Sequence, residues 1–208
     1  MRATLYQDRH GSPAMRSLPT IVKTELLAES DWFQIEALHL EFSNGQQRVY
    51  ERLRGTGYQS VIVVAKPDPA HVLLVREYAV GVEQRVLGLP KGGVDGDETA
   101  EQAANRELME EVGLRADRLR ELGLLTLAPG HLCHSCRVVL AEDLQPCTAQ
   151  GDEPEPLEVL RVPIARIPML VASGELQEAR AIAALFMALS GSGRDLVRLD
   201  EAARYSAS

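Results

Sequence analysis

A capped helix carrying three carboxylates on one arc constrains this chain more than any other feature. Residues 99–112 have an apolar repeat of helical period. Thr99 and Gln102 form a capping box at its start, in which each side chain satisfies a backbone N–H of the other. Gly113 follows as the residue that tolerates a left-handed ending. At about 100° per residue, Glu107, Glu110 and Glu111 share an arc of roughly 100°, and Ala104, Leu108 and Val112 form the adjoining apolar stripe. Like charges at i,i+4 cost an isolated helix about 0.2–0.5 kcal/mol, so Glu107 and Glu111 oppose the helix they sit on. A solvated acidic face would explain such a cluster in an arbitrary helix. A divalent cation would also explain it, because Mg²⁺ prefers oxygen ligands and recruits a few carboxylates together with phosphates and water.

The wider pattern decides between these readings. From Gly92 the chain reads G-x5-E-x7-R-E-L-x-E-E-x-G-L, with Glu98, Arg106, Glu107, Leu108, Glu110, Glu111, Gly113 and Leu114 at the defined places. Chance would produce this roughly once in ten million chains at ordinary residue frequencies of about 6%. The segment resembles the signature of the Nudix superfamily. The resemblance implies metal-assisted hydrolysis of a diphosphate linkage by Mg²⁺, with Mn²⁺ as a substitute. Glu107 and Glu111 would be the principal metal ligands and Glu110 a further ligand or a catalytic group. The backbone carbonyl of Lys91 would complete the set. Gly92 and Gly93 let the backbone turn and approach a phosphate. Glu98 sits at the helix entry, favoured by the dipole, and Arg106 can grip a neighbouring carboxylate bidentately.

The rest of the chain supplies the architecture. Strands are expected from residue 20, with Asn44-Gly45 as a hairpin turn in which both residues tolerate positive φ. Residues 61–65, 72–75 and 86–89 read as strands, and 90–93 as a loop. Residues 122–127, 137–141 and 157–162 read as further strands around a rigid acidic loop at 151–156. Residues 175–189 form an amphipathic helix, apolar at Ile182, Leu185, Phe186 and Leu189. Strands on both sides of a central helix, with a closing helix, predict an α/β sandwich with a mixed sheet. The resemblance makes this a Nudix α/β/α sandwich. The expected organisation is an extension at 1–17, a dimer-forming β region at 18–55, the hydrolase domain at 56–194 and a tail at 195–208.

Outside the box, the residues of 40–45, 49–52, 76–81 and 151–157 resemble bacterial ADP-compound hydrolases of the ADP-ribose pyrophosphatase group. This implies an ADP-linked substrate such as ADP-ribose, NADH or a diadenosine polyphosphate. NAD-capped RNA shares the linkage. By the same resemblance Glu153 or Glu155 is the base, Pro129 marks an ADP-ribose enzyme, Arg76 grips a phosphate, and the protein is a homodimer. One departure stands out: Gly88-Leu89-Pro90-Lys91-Gly92 replaces the usual Glu-Leu-Pro-Ala-Gly, placing a lysine beside the phosphates.

A formal net charge of −8 disfavours a DNA groove, whose phosphates demand Lys and Arg. The three cysteines fit a reducing compartment rather than a disulfide framework, and no signal or membrane span is expected, so the location is read as cytoplasmic. Cys133-x-x-Cys136 lacks the second pair that structural zinc wants. Two rival functions remain. One is a nucleoside triphosphate sanitiser, disfavoured by Pro129 and the acidic loop. The other is a non-catalytic ADP-ribose sensor, disfavoured by the intact box.

Overall fold

The computed structural model describes residues 17–55, 59–148 and 154–190 of the 208. The sequence expectations for the extension before residue 17, for Glu153 and for the tail after 194 therefore lie outside the described residues. The chain divides into two compact units. The first holds the described residues up to 55 together with Gly130–Cys133, and the second holds 59–129 and 134–190.

The first unit is an antiparallel sheet of β1 (Thr20–Glu29), β2 (Phe33–Glu41) and β3 (Gln47–Gly55), in that order. The hairpin expected at Asn44-Gly45 is present, but its turn differs from expectation. Only Gly45 takes a positive φ, 76°. The Phe42 N–H donates to the Gln46 carbonyl at 2.9 Å, and the Asn44 side chain accepts the Gln46 N–H at 3.1 Å. Asn44 thus acts as an acceptor that closes a longer loop. Glu36 is buried on β2 and is held from β3 by Arg52 at 2.7 Å and Arg54 at 3.3 Å.

The second unit contains two sheets. One has the order β7 (Lys91–Gly93), β4 (Gln59–Ala65), β9 (His134–Pro146) and β8 (Leu114–Leu127). It is mixed, because β4 runs parallel to β9 and antiparallel to β7. The other joins β10 (Glu158–Pro163), β5 (His71–Ala79) and β6 (Gln84–Gly88), all antiparallel. Residues 61–65 are apolar without alternation because both faces of β4 are covered. Val61, Val63 and Ala65 pack with Ala103, Ala104 and Leu108 of α1 (Ala100–Val112). Ile62 and Val64 pack with Ala181, Ala184 and Leu185 of α3 (Ala179–Ser190). One helix on each side makes the α/β/α sandwich, as the sequence led us to expect.

Several local expectations are corrected. Residues 91–93 form a short strand rather than a loop, since they pair with Ser60, Val61 and Ile62. The closing helix starts at Ala179 and not at 175. The Glu178 carboxylate accepts the Ala181 N–H at 2.7 Å and so fixes the first turn there. Phe186 of that helix is 61% exposed, and Ala181 and Ala184 take the buried positions instead. The short helix α2 (Ile167–Ala172), preceded by a 3₁₀ turn at Ile164–Arg166, was not foreseen. Pro168 looks like a breaker in sequence, but it stands in the first turn, where a missing N–H costs no hydrogen bond. Strands β8 and β9 also run longer than 122–127 and 137–141. A bulge between Glu121 and Gly123, the latter with φ 155°, shifts their register.

Leu108 is fully buried between α1 and β4. Leu108→Ala is expected to lose about 2–5 kcal/mol of stability, read as a lower midpoint in urea unfolding at unchanged slope.

Candidate active site

The capping box at Thr99 is formed in both directions, with the Thr99 Oγ1 accepting the Gln102 N–H at 3.2 Å and the Gln102 side chain accepting the Thr99 N–H at 2.8 Å. Gly113 ends the helix in the left-handed region, φ 71°, and donates its N–H to Met109. These two stops fix where α1 begins and ends against β4. Packing on β4 then turns Leu108 inward and leaves Glu107 at the edge of the core, where it is 8% exposed.

Arg106 organises the carboxylates. Its Nε and Nη2 grip both oxygens of Glu98, each at 3.1 Å. Nη2 also donates to the Gly93 carbonyl at 2.8 Å, tying β7 to the helix. Nη1 donates to Glu107 at 2.7 Å and to Glu110 at 3.2 Å. The Arg106 hydrogen bonds hold the Glu98 carboxyl below its usual range, and the Asp95 N–H adds to the effect against the opposing cost of burial.

Gly92 has no positive φ, so the expected backbone freedom is not what the position requires. A Cβ there would stand 2.0 Å from Glu107 Oε1. Glycine at 92 lets the carboxylate of α1 lie against β7. At Gly93 the nearest atom to such a Cβ is 4.0 Å away, which is ordinary contact.

Glu111 meets the same strand, accepting the Lys91 backbone N–H at 3.1 Å. Its carboxyl is pushed up to about 8. Burial is the main cause, and the charges of Glu107 and Glu77 add to it. The Lys91 ammonium and N–H act in the opposite sense. Glu77, on β5, was not singled out in the sequence. Its side chain pairs with the Lys91 ammonium. The strand reading of 72–75 stopped short of it, and only the lysine in the box hinted that a partner was needed.

Hard oxygen donors crowd this corner, and burial, with the charges of Glu107 and Glu77 added, disfavours an ionised Glu111, a cost that a divalent cation would offset. The donor set therefore fits Mg²⁺ in chemistry. Among the described residues, no three Asp, Glu, His or Cys side chains are already arranged around one point, because Arg106 engages Glu107 and Glu110.

Comparison with known proteins agrees with the site. The NUDIX domain family matches residues 58–185, and the NudE-type Nudix hydrolase N-terminal domain matches 19–52. The chain belongs to the Nudix family. ADP compounds hydrolase NudE of Escherichia coli (strain K12) is 45% identical over 179 residues, which are 85% of this chain and 96% of that protein. ADP-ribose pyrophosphatase of Bacillus subtilis (strain 168) is 29% identical over 148 residues, 70% of this chain and 79% of that protein. A crystal structure of an ADP compounds hydrolase superimposes with a TM-score of 0.80 at 43% identity, covering 87% of this chain and 99% of that one. This Nudix chain is accordingly a hydrolase.

The remaining sequence candidates fall elsewhere in the Nudix domain. Arg76 pairs with Glu158 at 3.1 Å and Glu175 at 3.4 Å. Alternation along β5 puts Arg76 and Tyr78 on one face and Glu77 on the other. Glu155 is exposed and pairs with Arg85 at 2.9 Å. It lines an open pocket of ≈ 300 Å³ with Tyr78, Arg85 and Pro154. Pro129 is exposed in the turn after β8. The structure thus groups Glu98, Arg106, Glu107, Glu110, Glu111 and Lys91, and it does not bring Arg76 or Glu155 against them. In the Cys-x-x-Cys segment, the His134 ring meets the Ser60 hydroxyl at 2.9 Å and Cys136 is fully buried in the core.

Two outcomes are expected. Gly92→Ala should lower thermal stability and abolish hydrolysis together, because the methyl group displaces Glu107; circular dichroism melts and a product assay would read both. Glu111 sets a pH dependence whose sign follows from its raised carboxyl. The neutral form is the one the metal-free fold favours, so its contribution is complete below the ordinary carboxylate range and is lost as pH rises through about 8. Melting of metal-free protein from pH 5 to 9 should show that decline, and Glu111→Gln should flatten it.

Proposed function

We propose that this Nudix hydrolase cleaves the diphosphate linkage of ADP-linked compounds in a Mg²⁺-dependent reaction that releases AMP. The observation that carries the reading is the grouping of Glu107 and Glu110 on the Arg106 guanidinium with Glu111 on the Lys91 N–H, Glu111 being pushed up by burial first and by the charges of Glu107 and Glu77 after it. The 45% identity to a protein named ADP compounds hydrolase supports the ADP moiety. ADP-ribose, NADH and diadenosine polyphosphates share the linkage, and so does NAD-capped RNA.

Glu107, Glu111 and Glu110, with the Lys91 backbone carbonyl, would hold the metal ion, and Mn²⁺ would serve in its place. When bound, the ion neutralises phosphate charge and acidifies water. The chain's own residues do the rest. Arg106 keeps the carboxylates and the Gly93 carbonyl in register. A carboxylate base, Glu153 or Glu155, takes the proton of the attacking water. The new P–O bond forms as the bridging P–O bond breaks, and the displaced phosphate leaves with the other moiety. With ADP-ribose the products are AMP and ribose 5-phosphate. Arg76 would give up Glu158 and Glu175 for a substrate phosphate, with Gly93 and Pro129 lining the approach.

The first unit supports a homodimer. Ile21, Val22, Leu26 and Leu27 of β1, Phe33 of β2 and Trp32 in the turn between them are exposed, an apolar surface of the kind that marks an interface. No helix of the described residues is long and apolar enough to cross a membrane.

The test is a substrate panel with Mg²⁺, its products separated by chromatography. AMP should appear from ADP-ribose, and Glu111→Gln should reduce the rate to background. Glu153→Gln or Glu155→Gln, whichever removes the base, should lower kcat about 10²–10⁴-fold. Turnover of nucleoside triphosphates alone would overturn the reading in favour of a triphosphate sanitiser.

A further inference from the structure

Lys91 is the one lysine placed among the box carboxylates. Its ammonium pairs with Glu77, and both side chains are largely buried, 14% and 19% exposed. Its backbone N–H meanwhile holds Glu111 at 3.1 Å. A buried pair of this sort is poor evidence for a stabilising role, since desolvating two charges offsets most of their attraction. The pair does keep a mobile point charge beside the carboxylates without locking it onto them. Lysine suits such storage, because a compact ammonium on a flexible stem exchanges one anionic partner for another by rotation. The phosphates of a bound substrate would offer that second partner. Arg106 is already committed to Glu98, Glu107, Glu110 and the Gly93 carbonyl.

We infer that Lys91 is a specificity-determining residue that leaves Glu77 to take the phosphate groups beyond the cleaved linkage, favouring dinucleoside polyphosphates over diphosphate substrates. Each added phosphate brings negative charge that the carboxylate-rich corner repels. A single ammonium at its edge therefore matters more as the polyphosphate lengthens. Glu77 is the positioning residue that stores Lys91 between substrates. The inference rests on the proposed hydrolysis of ADP-linked compounds.

The experiment measures kcat and KM with Mg²⁺ for ADP-ribose and for P1,P5-di(adenosine) pentaphosphate. It also measures the dissociation constant of the pentaphosphate by calorimetry without divalent ions, where no turnover occurs. Lys91→Ala, which keeps the backbone carbonyl, should raise KM for the pentaphosphate about tenfold more than it raises KM for ADP-ribose, the effect of one charge-assisted contact, and should weaken pentaphosphate binding about tenfold in the calorimeter. Lys91→Arg should restore most of the difference. The double variant Glu77→Ala with Lys91→Ala, which leaves no unpaired charge, should keep the same substrate bias and guards against a folding defect. Equal effects on both substrates, or unchanged pentaphosphate binding in the folded double variant, would overturn the role of Lys91. If wild-type protein releases AMP from neither substrate, the proposed function fails, and the calorimetric comparison still decides whether Lys91 binds polyphosphate.

Discussion

The guanidinium of Arg106 is the contact on which the site depends. It joins the helix entry at Glu98, the strand carbonyl of Gly93 and two helix carboxylates, Glu107 and Glu110. Three acidic residues on one arc would push α1 apart if left alone, and Arg106 answers part of that repulsion from within the same turns. The planar fork matters here, because it donates in several directions at fixed angles where an ammonium would serve one partner at a time. Burial of Glu107 becomes tolerable by the same means.

Arg106 can work only because the helix is delivered to it at one rotation and one height. The capping box and the Gly113 ending set the height. The rotation comes from Ala103, Ala104 and Leu108 packing on Val61 and Val63. Ala103 and Ala104 are small and the strand residues branched, so the helix approaches β4 closely. At the edge of that packing Gly92 removes the last atom in the way of Glu107. The fold and the chemistry therefore share residues, and a change in the core of α1 would move carboxylates as well as weaken the fold.

Strand alternation then sorts the charged residues that surround this corner. Neighbours on β5 face opposite ways, so Glu77 joins the box and Arg76 joins Glu158 and Glu175. The result is a corner whose negative charge is balanced unevenly. Glu98 is held firmly ionised by Arg106, and Glu111 is held towards its neutral form by burial and by the charges of Glu107 and Glu77. Two carboxylates of one box thus have opposite tendencies, and the one that favours neutrality is the one a cation would engage.

The sequence by itself determined the helix with both of its stops, a bidentate grip of Arg106 on a neighbouring carboxylate, and the sandwich, because caps, helical spacing and doubly buried strands are local patterns; that the carboxylate is Glu98 came from the folded structure. It also marked Lys91 as unusual. It did not reach what depends on distant pairing. That β7 is a strand follows only from its register with β4, and a three-residue segment has no period of its own. The short helix α2 is hidden behind Pro168, whose meaning changes with its place in a turn. The reason for glycine at 92 is a carboxylate fifteen positions later in the chain, brought close by packing. Glu77 became part of the site, and Arg76 and Glu155 found partners elsewhere, because strand alternation and tertiary contact assign faces. Spacing along the chain carries no such information across two strands.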